Sequence, residues 1–272
     1  MIQVENIHKS FGDNKVLKGI STSFEKGKTS LIIGQSGSGK TVFLKCLLGL
    51  FGLDSGNILY DKDNYANLTL KKKRKIREKM GMVFQGSALF DSMDVADNVR
   101  FPLDMFTKQT KEEKNDRVQS VLKRVNIVNA DAKFPSEISG GMQKRVAIAR
   151  ALSVNPKILV LDEPTSALDV LVQSTVIDLL HRLRSEFNLT YVFISHDLSL
   201  MRNFCNRVAV MLRGNVVEEG RVADIFDAPS HAYTRALLSA IPVISDEEEA
   251  SKPKLKNEER DAVLATSTAL EV

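Results

Sequence analysis

The chain has 272 residues, of which 43% are apolar, and this length and composition allow a large domain with a substantial buried core. Its formal net charge of only +4 does not indicate a nucleic-acid-binding protein, and we expect no nucleic-acid partner. No apolar run approaches the roughly 18 residues that a membrane-spanning helix needs, so we expect no membrane span. Residues 1–5 (MIQVE) have neither the basic start nor the apolar block of a signal peptide, so we expect none.

Short apolar runs alternate with helical stretches along the chain, and this alternation predicts an α/β fold. Residues 29–33 (TSLII) predict a buried strand, and the glycine-rich turn that follows leads into a predicted helix over residues 41–50. Between Gln85 and Asn155 charged residues become more frequent and helical spacing dominates, for example over residues 111–125. Further strands are predicted at residues 82–84, 157–161, 191–195 and 208–212.

These elements predict a single domain over residues 1–242. Its core comprises residues 1–86 and 156–242, and residues 87–155 form a helical insertion between two strands of one sheet. The remaining residues 243–272 are rich in charge, and we expect them to form a flexible tail.

A phosphate-binding motif lies between the first predicted strand and the helix after it. The sequence GQSGSGKT fits the pattern G-x-x-x-x-G-K-[ST]. The glycines let the backbone curl so that its N–H groups point at phosphate oxygens, and the helix directs its positive dipole end at the same anion. Lys40 adds a charge near the β- and γ-phosphates, and the Thr41 hydroxyl can ligate Mg²⁺. The predicted nucleotide-binding residues here are Gly34, Gln35, Ser36, Gly37, Ser38, Gly39, Lys40 and Thr41.

Two adjacent carboxylates form the second half of the predicted site. Residues 158–161 (ILVL) predict a buried strand that delivers Asp162 and Glu163 to its carboxyl end, where ligands bind in parallel sheets. Asp162 can hold Mg²⁺, and Glu163 can orient the attacking water or accept its proton. Because neighbouring residues of a strand point to opposite sides, one acid can face the metal and the other the γ-phosphate.

Five further motifs follow the order found in ATP-binding cassette (ABC) proteins, and together with the phosphate motif they resemble that family. Residues 138–145 (ISGGMQKR) resemble the signature LSGGQ, with Met142 in place of the glutamine. Gln85 is similar to the Q-loop residue, Asp169 to that of the D-loop and His196 to that of the H-loop. Phe11 lies where the family has an aromatic ring that stacks on adenine.

The resemblance implies a P-loop NTPase core of ABC ATPase type, with a β-rich amino-terminal part and an inserted helical subdomain. It implies an ATPase that uses ATP and Mg²⁺, with Glu163, His196 and Gln85 as catalytic residues and Thr41, Gln85 and Asp162 at the metal. Two such chains, identical or different, would pair head to tail, each placing its signature turn on the other chain's γ-phosphate. The predicted signature residues are Ser139, Gly140, Gly141 and Met142.

The resemblance also implies partners and a location. The expected partners are an integral-membrane permease, a second ABC ATPase subunit and a substrate-binding protein. The expected location is peripheral, at the cytoplasmic face of the inner (plasma) membrane. A soluble regulatory ABC ATPase with no membrane partner is the alternative outside transport.

The cargo is indicated differently by the two halves of the chain. Residues 1–150, notably 81–92 and the Ser-Gly-Gly-Met turn, resemble ATPases of phospholipid transporters of the mammalian-cell-entry type. Residues 151–242 resemble ATPases of di- and oligopeptide importers, notably at 161–170 and at 231–238 (HAYTRALL). We expect lipid cargo, because the permease contacts mainly the region from the Q-loop to residue 150; peptide import is the alternative.

Overall fold

The computed structural model describes residues 1–240, and the predicted tail over residues 243–272 lies outside the described residues. The described strands are β1 (Ile2–Phe11), β2 (Asn14–Phe24), β3 (Thr29–Ile33), β4 (Ser55–Tyr60), β5 (Asp63–Asn64), β6 (Met80–Val83), β7 (Ile158–Asp162), β8 (Thr190–Ile194), β9 (Arg207–Leu212) and β10 (Asn215–Arg221). The described α-helices are α1 (Lys40–Leu47), α2 (Leu70–Arg77), α3 (Val95–Phe106), α4 (Lys111–Arg124), α5 (Gly140–Leu152), α6 (Val170–Phe187), α7 (Leu198–Phe204), α8 (Val222–Asp227) and α9 (Ala232–Ser239).

The strands form two sheets. The smaller sheet is antiparallel with the order β2-β1-β4-β5, and it comes entirely from the amino-terminal quarter of the chain. The larger sheet has the order β10-β9-β3-β8-β7-β6, in which β10 is antiparallel and the other pairs are parallel. The carboxyl ends of β3, β8, β7 and β6 therefore lie side by side along one edge, where ligands bind in such sheets.

Both faces of the larger sheet are covered, which explains why its central strands β3, β7 and β8 are largely apolar runs. Along β3, Leu31 and Ile33 belong to one core cluster, whereas Ile32 belongs to the other. The first cluster also contains apolar residues of α3, α4 and α5, and the second contains α1 and residues of the smaller sheet. Because successive side chains of a strand point to opposite faces, the larger sheet contributes to one core cluster on each of its faces.

Three α-helices, α3 to α5, occur between β6 and β7, which are neighbours in the larger sheet. The helix α4 begins where a capping box forms: Glu113 N–H donates to Thr110 Oγ1 at 3.2 Å, and Thr110 N–H donates to Glu113 Oε2 at 2.7 Å. This motif accounts for the agreement between the predicted helix at 111–125 and the observed one. No helix within residues 1–240 has both the length and the apolar character needed to cross a bilayer.

The predicted helix over residues 41–50 is wrong at its carboxyl end, because α1 stops at Leu47. Gly49 adopts a positive φ of 69°, its N–H donates to Cys46 O, and Leu50 N–H donates to Lys45 O, both at 2.9 Å. This pair of hydrogen bonds is a Schellman motif, which ends a helix at a glycine. The strands predicted at 157–161 and 191–195 are displaced by one residue, so that β7 ends on Asp162.

Candidate active site

The glycine-rich loop connects β3 to α1 and forms the first wall of the site. At Gly34 a Cβ atom would lie 2.2 Å from the Met211 carbonyl oxygen of β9, so a side chain does not fit there. Gly37 and Gly39 have φ angles of 76° and 100°, a region that favours glycine. Gly39 precedes α1, and no side chain within residues 1–240 caps that helix, which leaves its first N–H groups available to an anion.

Lys40 is the first residue of α1, and its side chain is only 7% exposed. Its Nζ donates to the carbonyl oxygens of Gly34 at 2.7 Å and Gln35 at 3.0 Å, so the ammonium group lies against the loop. Burial lowers the pKa of Lys40, while the carboxylates of Glu163 and Asp162 act in the opposite direction. The buried hydroxyl of Ser38, beside Lys40 in the loop, has no hydrogen-bond partner among the described residues. The Lys40 ammonium group and the Ser38 hydroxyl can therefore each donate a hydrogen bond to a phosphate oxygen.

Asp162 ends β7 and is 6% exposed. Burial raises the pKa of its carboxyl, and the neighbouring Glu163 raises it further, whereas a hydrogen bond from Thr41 lowers it. The structure therefore brings together the two predicted metal ligands Thr41 and Asp162, one from each half of the site. Glu163 has a positive φ of 48°, which turns the chain sharply at the end of the strand.

Glu163 joins the three predicted catalytic residues into one cluster. Its Oε2 accepts a hydrogen bond from Gln85 Nε2 at 2.8 Å, and its Oε1 lies 2.5 Å from His196 Nε2. Gln85 follows β6, Glu163 follows β7 and His196 follows β8, so three adjacent strand ends supply the three side chains. An open cleft of about 650 Å³ adjoins this cluster, and its lining includes Glu163 and His196.

The signature turn lies at the start of α5. Ser139 is the N-cap, and its Oγ accepts a hydrogen bond from Met142 N–H at 3.3 Å. Ser139 and Gly140 are exposed, whereas Met142 is half-buried and packs against the core. At Gly141 a Cβ would lie 2.6 Å from Val172 Cγ1 of α6. Apolar packing therefore accounts for a methionine at the position where the family has glutamine.

Two other predicted residues occupy defined positions. Asp169 is the N-cap of α6, and its carboxylate accepts a hydrogen bond from Val172 N–H at 2.9 Å. Val172 in turn lies beside Gly141 of the signature turn. Phe11 is 45% exposed and makes an edge contact with Phe51 at 5.2 Å between ring centroids. Its exposed ring surface is therefore still available to a flat ligand such as adenine.

Sequence reasoning missed contacts that fix the loop around Gln85. Buried Lys144 of α5 donates to the Gln85 carbonyl oxygen. Arg150, further along the same helix, donates to the carbonyl oxygens of Ser87 at 2.9 Å and Ala88 at 2.7 Å. The signature helix therefore holds the segment that carries a predicted catalytic residue. Lys144 belongs to the quoted signature motif, but its spacing gives no sign of this partner.

Sequence reasoning also missed Tyr233, which lies in α9. Its Oη accepts a hydrogen bond at 2.8 Å from Gln35 N–H in the glycine-rich loop, 198 residues away in the chain. The only sequence signal was the similarity of residues 231–238 to peptide-importer ATPases.

Two family models match the chain. The model described as ABC transporter matches residues 17–166, and the model described as the C-terminal region of oligopeptide/dipeptide transporters matches residues 217–266. The oligopeptide transport ATP-binding protein AppF of Bacillus subtilis (strain 168) is 40% identical over 239 residues, covering 86% of this chain and 73% of that protein. The methionine import ATP-binding protein MetN of Clostridium tetani is 38% identical over 229 residues, covering 84% and 72%.

Solved structures agree with the sequence relatives. A dimeric post-hydrolysis state of the ATP-binding cassette MJ0796 bound to ADP and Pi has a TM-score of 0.74 and 32% identity, covering 82% of this chain and 99% of that one. CbiO1 from Clostridium perfringens, part of the ABC transporter complex cbiONQ, has a TM-score of 0.76 and 32% identity, covering 87% and 94%. The predicted P-loop fold of ABC ATPase type is thereby confirmed, and the chain belongs to the ABC transporter family as an ATP-binding subunit that hydrolyses ATP.

Proposed function

We propose that this subunit powers the import of peptides through a separate integral-membrane permease. The assignment of peptides as the cargo rests on the match of residues 217–266 to the C-terminal region of oligopeptide/dipeptide transporters. The 40% identity with AppF supports the same cargo. We further propose a substrate-binding protein as a partner and a peripheral location at the cytoplasmic face of the inner membrane.

The lipid cargo expected from residues 1–150 has no support among the relatives named above. Their names refer to the import of oligopeptides and of methionine. Peptide import, the alternative indicated by residues 151–242, therefore takes the place of lipid transport. Methionine import is a second candidate, because MetN is 38% identical to this chain.

ATP binding is proposed to depend on the glycine-rich loop. The uncapped start of α1 directs N–H groups at the β- and γ-phosphates, and Lys40 supplies a positive charge there. The ammonium group already lies within hydrogen-bond distance of two loop carbonyls, so little reorganisation is needed when the phosphates arrive. Phe11 is proposed to stack on the adenine.

Hydrolysis is proposed to use Glu163 as the base. Its carboxylate accepts a proton from water as the water oxygen bonds to the γ-phosphorus, and the bond from that phosphorus to the bridging oxygen of ADP breaks. ADP and inorganic phosphate are the products. Gln85 and His196 each contact one oxygen of the carboxylate, so they fix its orientation toward the attacking water.

The residues present fit a magnesium ion. The Thr41 hydroxyl, the Asp162 carboxylate and the Gln85 carboxamide are oxygen ligands of the kind that Mg²⁺ prefers, and Thr41 lies close enough to Asp162 to lower the pKa of its carboxyl. When bound, the metal neutralises negative charge on the β- and γ-phosphates. Asp162 is held ready for this role at the rigid end of β7.

A second ATPase subunit, identical or different, is proposed to complete the site. The signature turn at Ser139 and Gly140 is exposed, and a helix N-terminus of this kind favours an anion. The solved cassette MJ0796 was captured as a dimer, bound in one structure to ADP and Pi. We propose that two chains pair head to tail here, each applying its signature turn to the γ-phosphate held by the other's loop.

The permease is proposed to bind an apolar groove beside the Gln85 loop. The groove has a volume of about 440 Å³, and its lining includes Met82, Phe84, Phe101 and Phe106. Phe106 is 43% exposed although it is a large apolar residue. An exposed apolar patch of this kind marks a contact with another protein.

The proposed function is tested by tagging the chain, extracting it from membranes in mild detergent and identifying the proteins that co-purify. We expect a pair of peptide-type permeases. A methionine-type permease would support the second candidate, and a permease with mammalian-cell-entry proteins would restore lipid cargo. The absence of any membrane partner would favour a soluble regulatory ATPase.

Two variants test whether binding of the permease depends on the groove. Phe106→Glu places a charge in the apolar groove, so we expect the permease to be lost while ATP binding persists. Val128→Glu is the matched control, because Val128 is also exposed, at 70%, and does not line the groove. Equal recovery of the permease with both variants would contradict the groove assignment.

A further inference from the structure

The segment that leads into α9 is anchored to β10 by Glu218. Its carboxylate accepts hydrogen bonds from Ser230 N–H at 2.7 Å, Ser230 Oγ at 2.8 Å and His231 N–H at 3.2 Å. Burial acts to raise the pKa of Glu218, but the hydrogen bonds from Ser230 and His231, together with the neighbouring Thr234, outweigh it and hold the pKa below its ordinary value. The carboxylate is therefore charged near neutral pH and holds the start of α9 firmly.

Inside α9, Tyr233 connects this anchored helix to the phosphate loop. The tyrosine is 6% exposed, and its Oη accepts the hydrogen bond from Gln35 N–H at 2.8 Å. The carbonyl of the same Gln35 accepts a hydrogen bond from Lys40 Nζ at 3.0 Å. The backbone N–H of Gln35 is thus bonded to Tyr233, and the backbone C=O of Gln35 is bonded to Lys40.

The far end of α9 reaches the other side of the site. Leu237 and Ala240 line the same cleft as Glu163 and His196. The helix therefore spans from the phosphate loop to the proposed catalytic cluster. None of the proposed catalytic or metal-binding roles accounts for this arrangement.

We propose that Tyr233 is a positioning residue for ATP binding, and that the α9 segment is a brace that holds the phosphate loop through Gln35. The inference rests on the proposed role of residues 34–41 in ATP binding and is independent of the cargo. Without the tyrosine hydroxyl, the partly buried N–H of Gln35 loses its acceptor, and the loop samples shapes that bind phosphate less well. The phosphate groups contact the loop and not Tyr233, so the effect falls on affinity rather than on the chemical step.

The test compares Tyr233→Phe with Tyr191→Phe in the full chain. Both changes remove a hydroxyl bonded to the backbone, but Tyr191 Oη donates to Leu180 O at 2.9 Å within the core. For Tyr233→Phe we expect the Kd and KM for ATP to rise roughly three- to tenfold, with kcat changed less than about twofold. Hydrogen exchange of the loop amides should also increase without nucleotide. Tyr191→Phe should lower the Tm but leave both readouts at the wild-type value.

A second variant acts on the brace without touching Tyr233 or the loop. Glu218→Gln keeps the size of the side chain but weakens the anchor of α9, so ATP affinity should fall in the same direction by a smaller factor. Wild-type ATP affinity and loop exchange in both Tyr233→Phe and Glu218→Gln would overturn the brace. If Lys40→Ala itself retained ATP affinity, the phosphate-loop assignment would fail instead, so the two failures are distinguishable.

Discussion

Two helix N-termini in this molecule carry anion-binding motifs, and they differ in how the fold treats them. At α1 the preceding loop is packed into the core: Ser38 and Lys40 are buried, and Gly34 lies against a carbonyl of β9. At α5 the signature turn is exposed at Ser139 and Gly140, and a side-chain cap is present. One end is fixed within the chain, whereas the other is presented to the outside.

The difference indicates how the work of the site is divided. The phosphate loop is preorganised by contacts from β9 and α9 in the same chain, so we propose that it binds ATP without help from a second chain. The signature turn is exposed to solvent on one side. On its other side Met142 packs against the core and Gly141 packs closely on α6. Such a surface suits a ligand delivered by another molecule, as the proposed head-to-tail pair requires.

The largest expected loss of ATP affinity comes from the buried end. Lys40→Ala removes the ammonium group that lies against the loop carbonyls, so ATP affinity should fall on the order of 100-fold or more. Nucleotide titration of the full chain measures this loss. The exposed Lys123 of α4 is the matched control, and Lys123→Ala should bind ATP as the wild type does. Normal affinity in Lys40→Ala would contradict the assignment of the loop.

Glu163→Gln should separate binding from hydrolysis. The amide keeps the shape of the side chain but does not accept a proton, so hydrolysis should fall by about 10²- to 10⁴-fold while ATP still binds. Because hydrolysis releases the proposed pair, the variant should accumulate as an ATP-bound dimer in size-exclusion chromatography. Glu112→Gln, in the exposed first turn of α4, should retain full activity. A variant that stays monomeric with ATP would argue against the pairing.

The local parts of the fold could be predicted from sequence because their signals are local. The run TSLII, the glycine-rich turn and the capping residues Thr110 and Glu113 each determine structure within a few residues. The end of α1 was predicted too late, since apolar residues continue to Leu50 while Gly49 already ends the helix. The spacing of apolar residues alone does not reveal that one glycine adopts a left-handed backbone conformation.

The site could be predicted in part, for a related reason. Gln85, Glu163 and His196 each follow a strand, and parallel pairing brings those strand ends together. Their catalytic roles stay predictions. The contacts of Lys144 with the Gln85 carbonyl and of Tyr233 with Gln35 depend on how helices pack on the sheet, and the partners are 59 and 198 residues apart. No local pattern in the sequence encodes those pairs.

A partial recovery of activity tests the exposed end. Ser139→Arg places a large charged side chain in the signature turn, so a pool of this variant should be inactive although its phosphate loop is intact. A pool of Lys40→Ala should be inactive for the opposite reason. In a mixed head-to-tail pair, both changes fall in one composite site and leave the other site complete. Mixing equal amounts should therefore restore about a quarter of wild-type activity, since half of the pairs are mixed and each has one working site.

The restored activity would distinguish an exposed signature turn that acts on a partner from one that acts on its own chain. If each chain used its own turn, every chain in the mixture would carry a damaged site, and mixing would restore nothing. Ser185→Arg is the matched control, because it places the same side chain at an exposed serine of α6; this variant should be fully active alone. Activity that stays at background after mixing would therefore mean that the turn at the start of α5 does not serve the phosphate loop of a second chain.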